Sequence, residues 1–556
     1  MNPKSTHKRT RAQQSSSAIE RLYITMRHLF NRGFYKPMGI SGETLREALL
    51  VLRPEIYGSI ADENIELQGL LYVMDRLPYG IEECTFINLT SDEGYQKSHF
   101  KPIIPAKRRR NCYRIDEDQM NIEITRGRSE IYDILTHLTF LYIESHKIMR
   151  QVLVNDEGEL IRDWIKLEEA VLHKKTLSKE DKDIALTHTA NFLGRTFEEV
   201  NEIYPQFSCK EDEHRFLKII YYLGKGAINE TLTEKKRLIT FSTVLRERLG
   251  HHIHGERWAY RIKSELHQKG LLQRPLHIIS ANMHSVMNSL YVEEALISEK
   301  KDKSRMQLFE ALSKAENGKL REKVTKKALQ NGMTYLADES GTNIDVQLFD
   351  TEKYSKTDNK ELPSAEKPVL VVMDYAFGEQ AYETMDELLK PFQHNGKKEF
   401  LNVVSISIMG KAGILEGGKG DIMIPNSHIF EGTADNYPFK NKLKKSHFEN
   451  LSKTYSGAMI TVLGTSLQNK DILSFFYSSS WNVIGLEMEG AHYQKAIQSA
   501  SKIRGSISPN VKVRYAYYAS DNPLETGSTL ASGGLGTTGV KPTYLITEKI
   551  LEQILK

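Results

Sequence analysis

The sequence predicts an α/β domain at its carboxyl-terminal end, with a mixed, mostly parallel central sheet flanked by helices, preceded by a large, mainly α-helical region. Three observations predict it. Over 18–297 apolar residues recur at spacings of three and four, as in AIERLYITMRHLF and EIYDILTHLTFLYIESHKIM, the period of an amphipathic helix. After residue 367 short apolar runs rich in β-branched residues alternate with helical patterns, the order of strand-helix-strand units whose strands run parallel. Between the two textures lies 351–367 (TEKYSKTDNKELPSAEK), polar and carrying a proline, which reads as a linker. The expected organisation is a basic disordered tail over 1–17, a mainly helical region over 18–350 with room for two subdomains, the linker over 351–367 and the α/β domain over 368–556.

A chain of 556 residues exceeds one domain. Its 76 basic and 72 acidic side chains leave a formal charge of +4, so no global field favours nucleic acid or a membrane surface, and any such partner would have to use a local patch. Cys84, Cys112 and Cys209 are too few and too scattered for a disulfide framework or a thiolate metal cluster. No run reaches the ~18–20 apolar residues that span a bilayer, and the N-terminus has no apolar signal core, so the expected location is the cytoplasm. The opening MNPKSTHKRTRAQQSSS is basic and Ser-rich without hydrophobic periodicity, hence the expected tail.

Two breaks interrupt the helical region, at 102–110 (PIIPAKRRR) and 172–182. Lys107 with Arg108, Arg109 and Arg110 would suit a phosphate or RNA, or form a solvated loop. In Gly250-His251-His252-Ile253-His254-Gly255 only His251 and His254 could share a helical face, because adjacent side chains point apart, and no metal site is assigned. The run 276–285 (LHIISANMHS) reads as a strand ending in Asn282 and His284, or as a helix start capped by Ser280. The charged stretch 298–331 has sparse apolar positions, and no internal repeat is visible.

In the α/β domain, strand-type runs lie at 368–373 (PVLVVM), 401–409 (LNVVSISIM), 458–463, 483–486 and 511–518, and helical patterns at 379–392, 471–479, 490–503 and 543–555. Ligands of such sheets sit beyond the carboxyl ends of strands, so the residues after each run are the candidates. The first run is followed by Asp374 and Glu379. The second gives Gly410-Lys411-Ala412-Gly413-Ile414-Leu415, then a glycine-rich turn ending in Asp421-Ile422; glycines there let backbone N–H groups approach an anion or a ribose oxygen. A later run ends in Glu487-Met488-Glu489-Gly490, whose acids also suit a helix N-terminus. The last ends in Ser520-Asp521-Asn522-Pro523, which also fits an Asx turn stopped by proline.

Taken together, in this order, these motifs resemble the nucleoside phosphorylase and nucleosidase superfamily, which cleaves N-glycosidic bonds of purine and related nucleosides. GKAGIL with GKGDIMIP looks like its G-x-x-G-G-L…G-D-I segment, LEMEGAHYQKA like its E-M-E-G-A helix start, and ASDNPL like the segment carrying its catalytic acid. The SDNPL wording is closest to the bacterial AMP nucleosidases, which also place a large domain before the catalytic one. The resemblance covers 368–556 only. It departs from the pattern at Ile414-Leu415, where Gly-Leu is usual, and at the glycine-rich 528–540 (STLASGGLGTTGV), which reads as a flap, a phosphate-cradling loop or a flexible connector.

The resemblance implies a purine nucleoside or nucleotide N-glycosidase. Asp521 would protonate the purine, Glu489 would hold the ribose hydroxyls with Met488 against the sugar, and Glu487, Ser520 and Asn522 would complete the substrate contacts. Gly410 and Gly413 would bracket the nucleophile, and Glu379, ahead of Asp374, would activate water. The alternative is a purine nucleoside phosphorylase: 374–389 holds no arginine or lysine for an incoming phosphate, while Lys411 could anchor one, or the phosphate of a nucleotide. A nucleotide-sensing module controlled by the N-terminal region is a third reading. No cofactor or metal is expected, and a homo-oligomer is implied by the resemblance alone.

Overall fold

The computed structural model describes residues 9–108, 110–172, 177–298, 303–354, 363–525 and 535–555. The chain divides into two compact units. The first holds Met1–Thr125, Glu130–Gly250 and Ser466–Asn469, and the second Arg126–Ser129, His251–Thr465 and Lys470–Lys556.

In the first unit the expected tail ends early. Residues 1–8 lie outside the described residues, but a helix runs over Arg11–Arg32. Thr10 and Gln13 form a reciprocal capping box at its start, which satisfies N–H groups that have no partner within the helix. Ser15, Ala18, Ile19 and Leu22 on its inner face are fully buried. The polar QQSSS run conceals this because a buried serine at the first turn carries no hydrophobic signal; its Oγ instead accepts from Asn469 Nδ2 at 2.9 Å.

The unit is helical in most of its length, yet it also contains a five-stranded sheet in the order Phe34–Tyr35, Leu238–Phe241, Phe86–Thr90, Gln119–Glu123, Cys112–Arg114. The central pairings are parallel and the two outer ones antiparallel. These strands are two to five residues long, too short for a period-two pattern to stand out between helices. Of Lys107–Arg110, Arg108 pairs with Asp133 at 3.2 Å and Arg110 with Glu130 and Asp133, each at 3.2 Å, Lys107 is exposed, and Arg109 lies outside the described residues.

The second unit is a three-layer sandwich on a ten-stranded sheet. From one edge the order is Asp435–Pro438, Ile422–Phe430, Thr454–Thr461, Val483–Glu487, Val403–Ile414, Leu276–Ser280, Val369–Met373, Val346–Asp350, Met333–Leu336. The tenth strand, Lys512–Asp521, runs parallel to Val403–Ile414 from Ser405↔Lys512 to Gly413↔Asp521. It also meets Ile422–Phe430 antiparallel at Ile422↔Tyr518. Five strands thereby close a ring. The sheet is mixed as expected, but antiparallel pairings are as numerous as parallel ones, so mostly parallel does not describe it.

On one face the helices Ile253–Gln268, Gln380–Leu388 and Gly490–Gln498 bury Trp258, Ile262, Met385 and Tyr493 against the sheet. On the other, Met283–Ala295, Arg305–Ser313, Gly318–Gln330 and Val540–Leu555 bury Val286, Phe309, Val324 and Ile550. Each such side chain contributes ~1.5–3 kcal/mol on leaving water, which accounts for the two apolar layers.

The expected boundary is therefore misplaced. Leu276–Ser280 and the two strands before residue 351 are members of the same sheet as Val369–Met373, and the unit begins at His251 rather than at 368. The charged stretch 298–331 disguises this, because its two helices bury few residues, such as Leu308, Phe309 and Val324. Of the expected linker, 355–362 lies outside the described residues, and Thr351–Lys353 and Ser364–Glu366 are single helical turns. Among the described residues no helix is long and apolar enough to cross a membrane, no His, Cys, Asp or Glu cluster is arranged for a metal, and all three cysteines are free.

Candidate functional site

The motif residues converge at one end of the ring of strands. Asp521 closes the strand Lys512–Asp521 and is registered with Gly413, which also pairs with Leu486 next to Glu487. The glycine turn of the second motif is stitched to this end: Gly420 N–H donates to the Ala519 carbonyl at 2.9 Å, and Ala519 N–H to the Asp421 carbonyl at 2.8 Å. Gly418 N–H donates to Asp421 Oδ2 at 2.9 Å, so the acid of the G-D-I segment shapes its own turn.

Asp521 is 9% exposed. The Ser520 hydroxyl donates to its Oδ1 and lies 3.1 Å from the Ala412 carbonyl. Oδ2 is buried without a hydrogen-bond partner among the described residues. Burial raises the carboxyl above its ordinary range, against the Ser520 hydroxyl and the charges of Lys411 and Lys419, which lower it. Oδ1 is thus held by a donor, while Oδ2 has none among the described residues.

Glu489 joins two strand ends. Its Oε1 accepts from Gly378 N–H at 3.0 Å and its Oε2 from Met488 N–H at 3.3 Å. Burial pushes this carboxyl up to about 7, with the two N–H groups and the charge of Lys411 opposing. Lys411, exposed on its strand, is thus electrostatically coupled to both Glu489 and Asp521. Glu487 takes a different part. Its Oε1 accepts from Thr461 Oγ1 at 2.5 Å, and its Oε2 accepts from the N–H groups of Glu489 and Gly490. Burial and the charge of Glu489 push it up to about 8. Both oxygens are engaged in holding the start of the helix Gly490–Gln498. Asn522 is likewise engaged at both ends, donating to the Gly417 carbonyl at 3.0 Å and accepting from Leu524 N–H at 3.0 Å. Gly490 leaves room for the buried His428, whose ring carbon would lie 2.2 Å from an added Cβ.

Glu379 stands where Val369–Met373 gives way to the helix Gln380–Leu388, and its charge raises the pKa of His492, which burial nevertheless holds down at about 4. Its backbone N–H donates to Ser129 Oγ at 2.9 Å. Ser129 belongs to Arg126–Ser129, a four-residue piece of the second unit taken from far earlier in the chain. Sequence reasoning missed it, and no local signal marks it. The piece brings Arg128 within electrostatic reach of Glu383 and His252, so the acid-rich 374–389 segment has a cationic neighbour that its own residues do not supply. Gly378 is in the left-handed region at φ +57°, and a Cβ there would lie 2.2 Å from Ser129 Oγ. Asp374 accepts from the next N–H, that of Tyr375, at 2.9 Å.

Gly410 packs between Tyr375 and Tyr517, whose ring carbons would stand 3.8 Å from an added Cβ. A cavity of about 510 Å³ opens beside Lys411, walled also by Asn282, His284, Arg321, Tyr518 and Thr543. Its size is that of small-molecule sites; among the candidate residues only Lys411 lines it. Asn282 rather than Ser280 caps the helix Met283–Ala295, through His284 N–H at 3.0 Å. Of the glycine-rich 528–540, residues 528–534 lie outside the described residues, and Gly536–Gly539 is a helical turn leading into Val540–Leu555. The histidines do not converge: His254 Nδ1 pairs with the Ser340 carbonyl at 2.7 Å, and His252 faces Glu387 at 3.8 Å.

Two segments of the chain, 43–325 and 307–556, match a family described as "Family of unknown function (DUF6909)". No curated protein matches. Among solved structures, half of the chain is similar to the 5'-methylthioadenosine/S-adenosyl homocysteine nucleosidase of Campylobacter jejuni, at 12% identity over 97% of that protein with a TM-score of 0.30. The futalosine hydrolase of Helicobacter pylori matches 50% of the chain at 10% identity over 98% of its own length, TM-score 0.30. A uridine phosphorylase of Schistosoma mansoni in complex with thymidine matches 51% at 14% identity over 89% of its own length, TM-score 0.31. Likeness at this level transfers no activity to the chain.

Proposed function

Because the chain belongs to DUF6909, a family whose function is unknown, we propose from the site itself that it is an N-glycosidase that hydrolyses a purine nucleoside or a nucleotide such as AMP. The observation that carries this reading is Asp521: a carboxyl raised by burial, one oxygen held by Ser520, the other buried and unpartnered among the described residues. An acid in that state donates its proton to the purine N7 while the C1′–N9 bond breaks and the bonding electrons leave with the base. Glu489, when ionised, accepts from the ribose 2′- and 3′-hydroxyls and stands near the oxocarbenium charge that develops on the sugar. Water adds to C1′ and gives its proton to Glu379, so the products are free base and ribose, or ribose 5-phosphate. Lys411 and the cavity beside it favour a substrate with a 5′-phosphate.

Phosphorolysis is the second reading. Lys411, and Arg128 on the Arg126–Ser129 piece beside Glu379, supply cations that an incoming phosphate would need. Release of free base from AMP, adenosine, inosine and methylthioadenosine, with and without phosphate, separates the two. Hydrolysis is expected without phosphate, and Asp521→Asn is expected to lower it by ~10²–10⁴-fold. Equal rates in the wild type and this variant would overturn the assigned acid, and base release that requires phosphate would make the enzyme a phosphorylase.

A further inference from the structure

A second cavity, of about 490 Å³, opens on the second unit around Arg514 and is walled by Lys442, His447, Lys512, Lys549 and Glu552. Among the described residues four permanent cations and a histidine therefore face a single carboxylate, Glu552, which pairs with Lys549 at 3.0 Å. Arg514 is 2% exposed. Among the described residues its guanidinium meets only neutral acceptors, Gln553 Oε1 at 2.8 Å, the Gln553 carbonyl at 3.4 Å and Ser407 Oγ at 3.4 Å. No carboxylate reaches Arg514, Lys442 or Lys512 among the described residues. A buried guanidinium without a counter-charge is costly, and burial holds this one down at about 10. An anion in the cavity would supply the missing charge.

The walls are built rather than adventitious. Lys442 N–H donates to the Val513 carbonyl at 2.9 Å, which lays the 441–443 strap beside the strand that carries Lys512 and Arg514. The Asn441 side chain fastens that strap, donating to the carbonyls of Pro425 and Tyr515 at 2.8 and 2.9 Å. Gln553, on the helix Val540–Leu555, orients Arg514 and reaches the Lys442 carbonyl and His447 Nδ1, each at 3.4 Å. Lys512 is registered with Ser405 and Arg514 with Ser407, whereas Asp521 is registered with Gly413. At ~3.3 Å per residue Arg514 and Asp521 are about 23 Å apart along the strand. The cavity is therefore at the opposite end of the ring from the candidate active site.

We propose that this cavity binds an oligophosphate, either an inorganic diphosphate or the phosphate chain of a nucleotide, as a site distinct from the one that holds the substrate. Clustered cations with a fixed guanidinium fork suit vicinal phosphate oxygens, and the volume accommodates more than a single phosphate. Calorimetric titration of the full chain with inorganic pyrophosphate tests it. Pyrophosphate is expected to bind the wild type, about tenfold or more weaker to Lys512→Glu and Lys442→Glu, and unchanged to Asp521→Asn and Lys411→Ala. Both reversed lysines are exposed, so these variants fold even where Arg514→Gln does not. Tighter binding of a nucleoside diphosphate than of pyrophosphate identifies a nucleotide as the source; equal binding identifies the phosphates alone. The proposal is overturned by absence of binding at about 1 mM pyrophosphate, by equal affinity in the reversed variants, by loss of binding in Lys411→Ala, or by capture of a single-stranded oligonucleotide without capture of pyrophosphate.

Discussion

The carboxylate at position 489, held by two backbone N–H groups and pushed up by burial to about 7, changes charge within the working range of most enzymes. Only its ionised form accepts from two ribose hydroxyls at once. Base release per unit kcat/KM is therefore expected to rise as pH increases through about 7, and Glu489→Gln to remove that limb while lowering kcat/KM by ~10–100-fold. A pH profile of both proteins checks this; an unchanged acidic limb in the variant would place the titrating group elsewhere. Single residues were legible to different depths. The placement of Asp521 at the end of its strand was legible because the motif supplies both a residue type and a position after an apolar run. How Glu487 and Asn522 are held was not legible, because adjacent polar residues in one motif face different ways. Which one turns to the helix start is decided by Thr461 and by the Glu489 and Gly490 N–H groups, and these contacts depend on packing rather than on the motif's wording.

At the scale of elements, the start of the helix Gln380–Leu388 rests on the Arg126–Ser129 piece. Gly378 donates to Glu489 there and adopts a positive φ against Ser129. Gly378→Ala is expected to destabilise the second unit by about 2 kcal/mol, from the left-handed backbone and the overlap with Ser129. Activity is expected to fall further than stability, since Glu489 loses its alignment. Denaturant titration beside an activity assay separates the two, and a variant that is less stable but fully active would detach Gly378 from the site. The Ser129 contact spans 250 residues. No periodicity or motif reports a pairing at that distance, whereas the strands at 369–373 and 483–487 announce themselves by local composition. Leu276–Ser280 falls between these cases: its apolar run was visible, but five residues do not distinguish a strand from a capped helix.

Over the whole second unit the buried titratable groups set a dependence of stability on pH. Glu487 and Glu489 are raised to about 8 and about 7 from 4.5, so the folded unit holds protons that the unfolded chain releases. Their contribution is present at low pH and is lost as pH rises through the folded values. His492 and His428 are lowered by burial to about 4 and about 3 from 6.5; their contribution is present above 6.5 and is lost as pH falls towards those values. Between about 6.5 and 8 the two glutamates lose protons that the folded unit holds, as does His252, which its hydrogen bond to Glu387 raises above 6.5, while Lys263, lowered by burial to about 8, acts from there upward; the melting temperature of the unit is expected to decline across that window. Glu487→Gln should flatten the decline, and a wild-type melting temperature that is constant or rising there would contradict the assignment.

The closed ring of strands has a consequence for the order in which the molecule is made. Lys512–Asp521 follows its two neighbours, Val403–Ile414 and Ile422–Phe430, by some ninety residues of chain and enters between them last. Until it arrives, both neighbours present open edges of unpaired N–H and carbonyl groups. Asp521 at the tip of the last strand is thus put in place by the same event that removes those edges, so a growing chain completes its candidate site and gains protection from edge-to-edge association together.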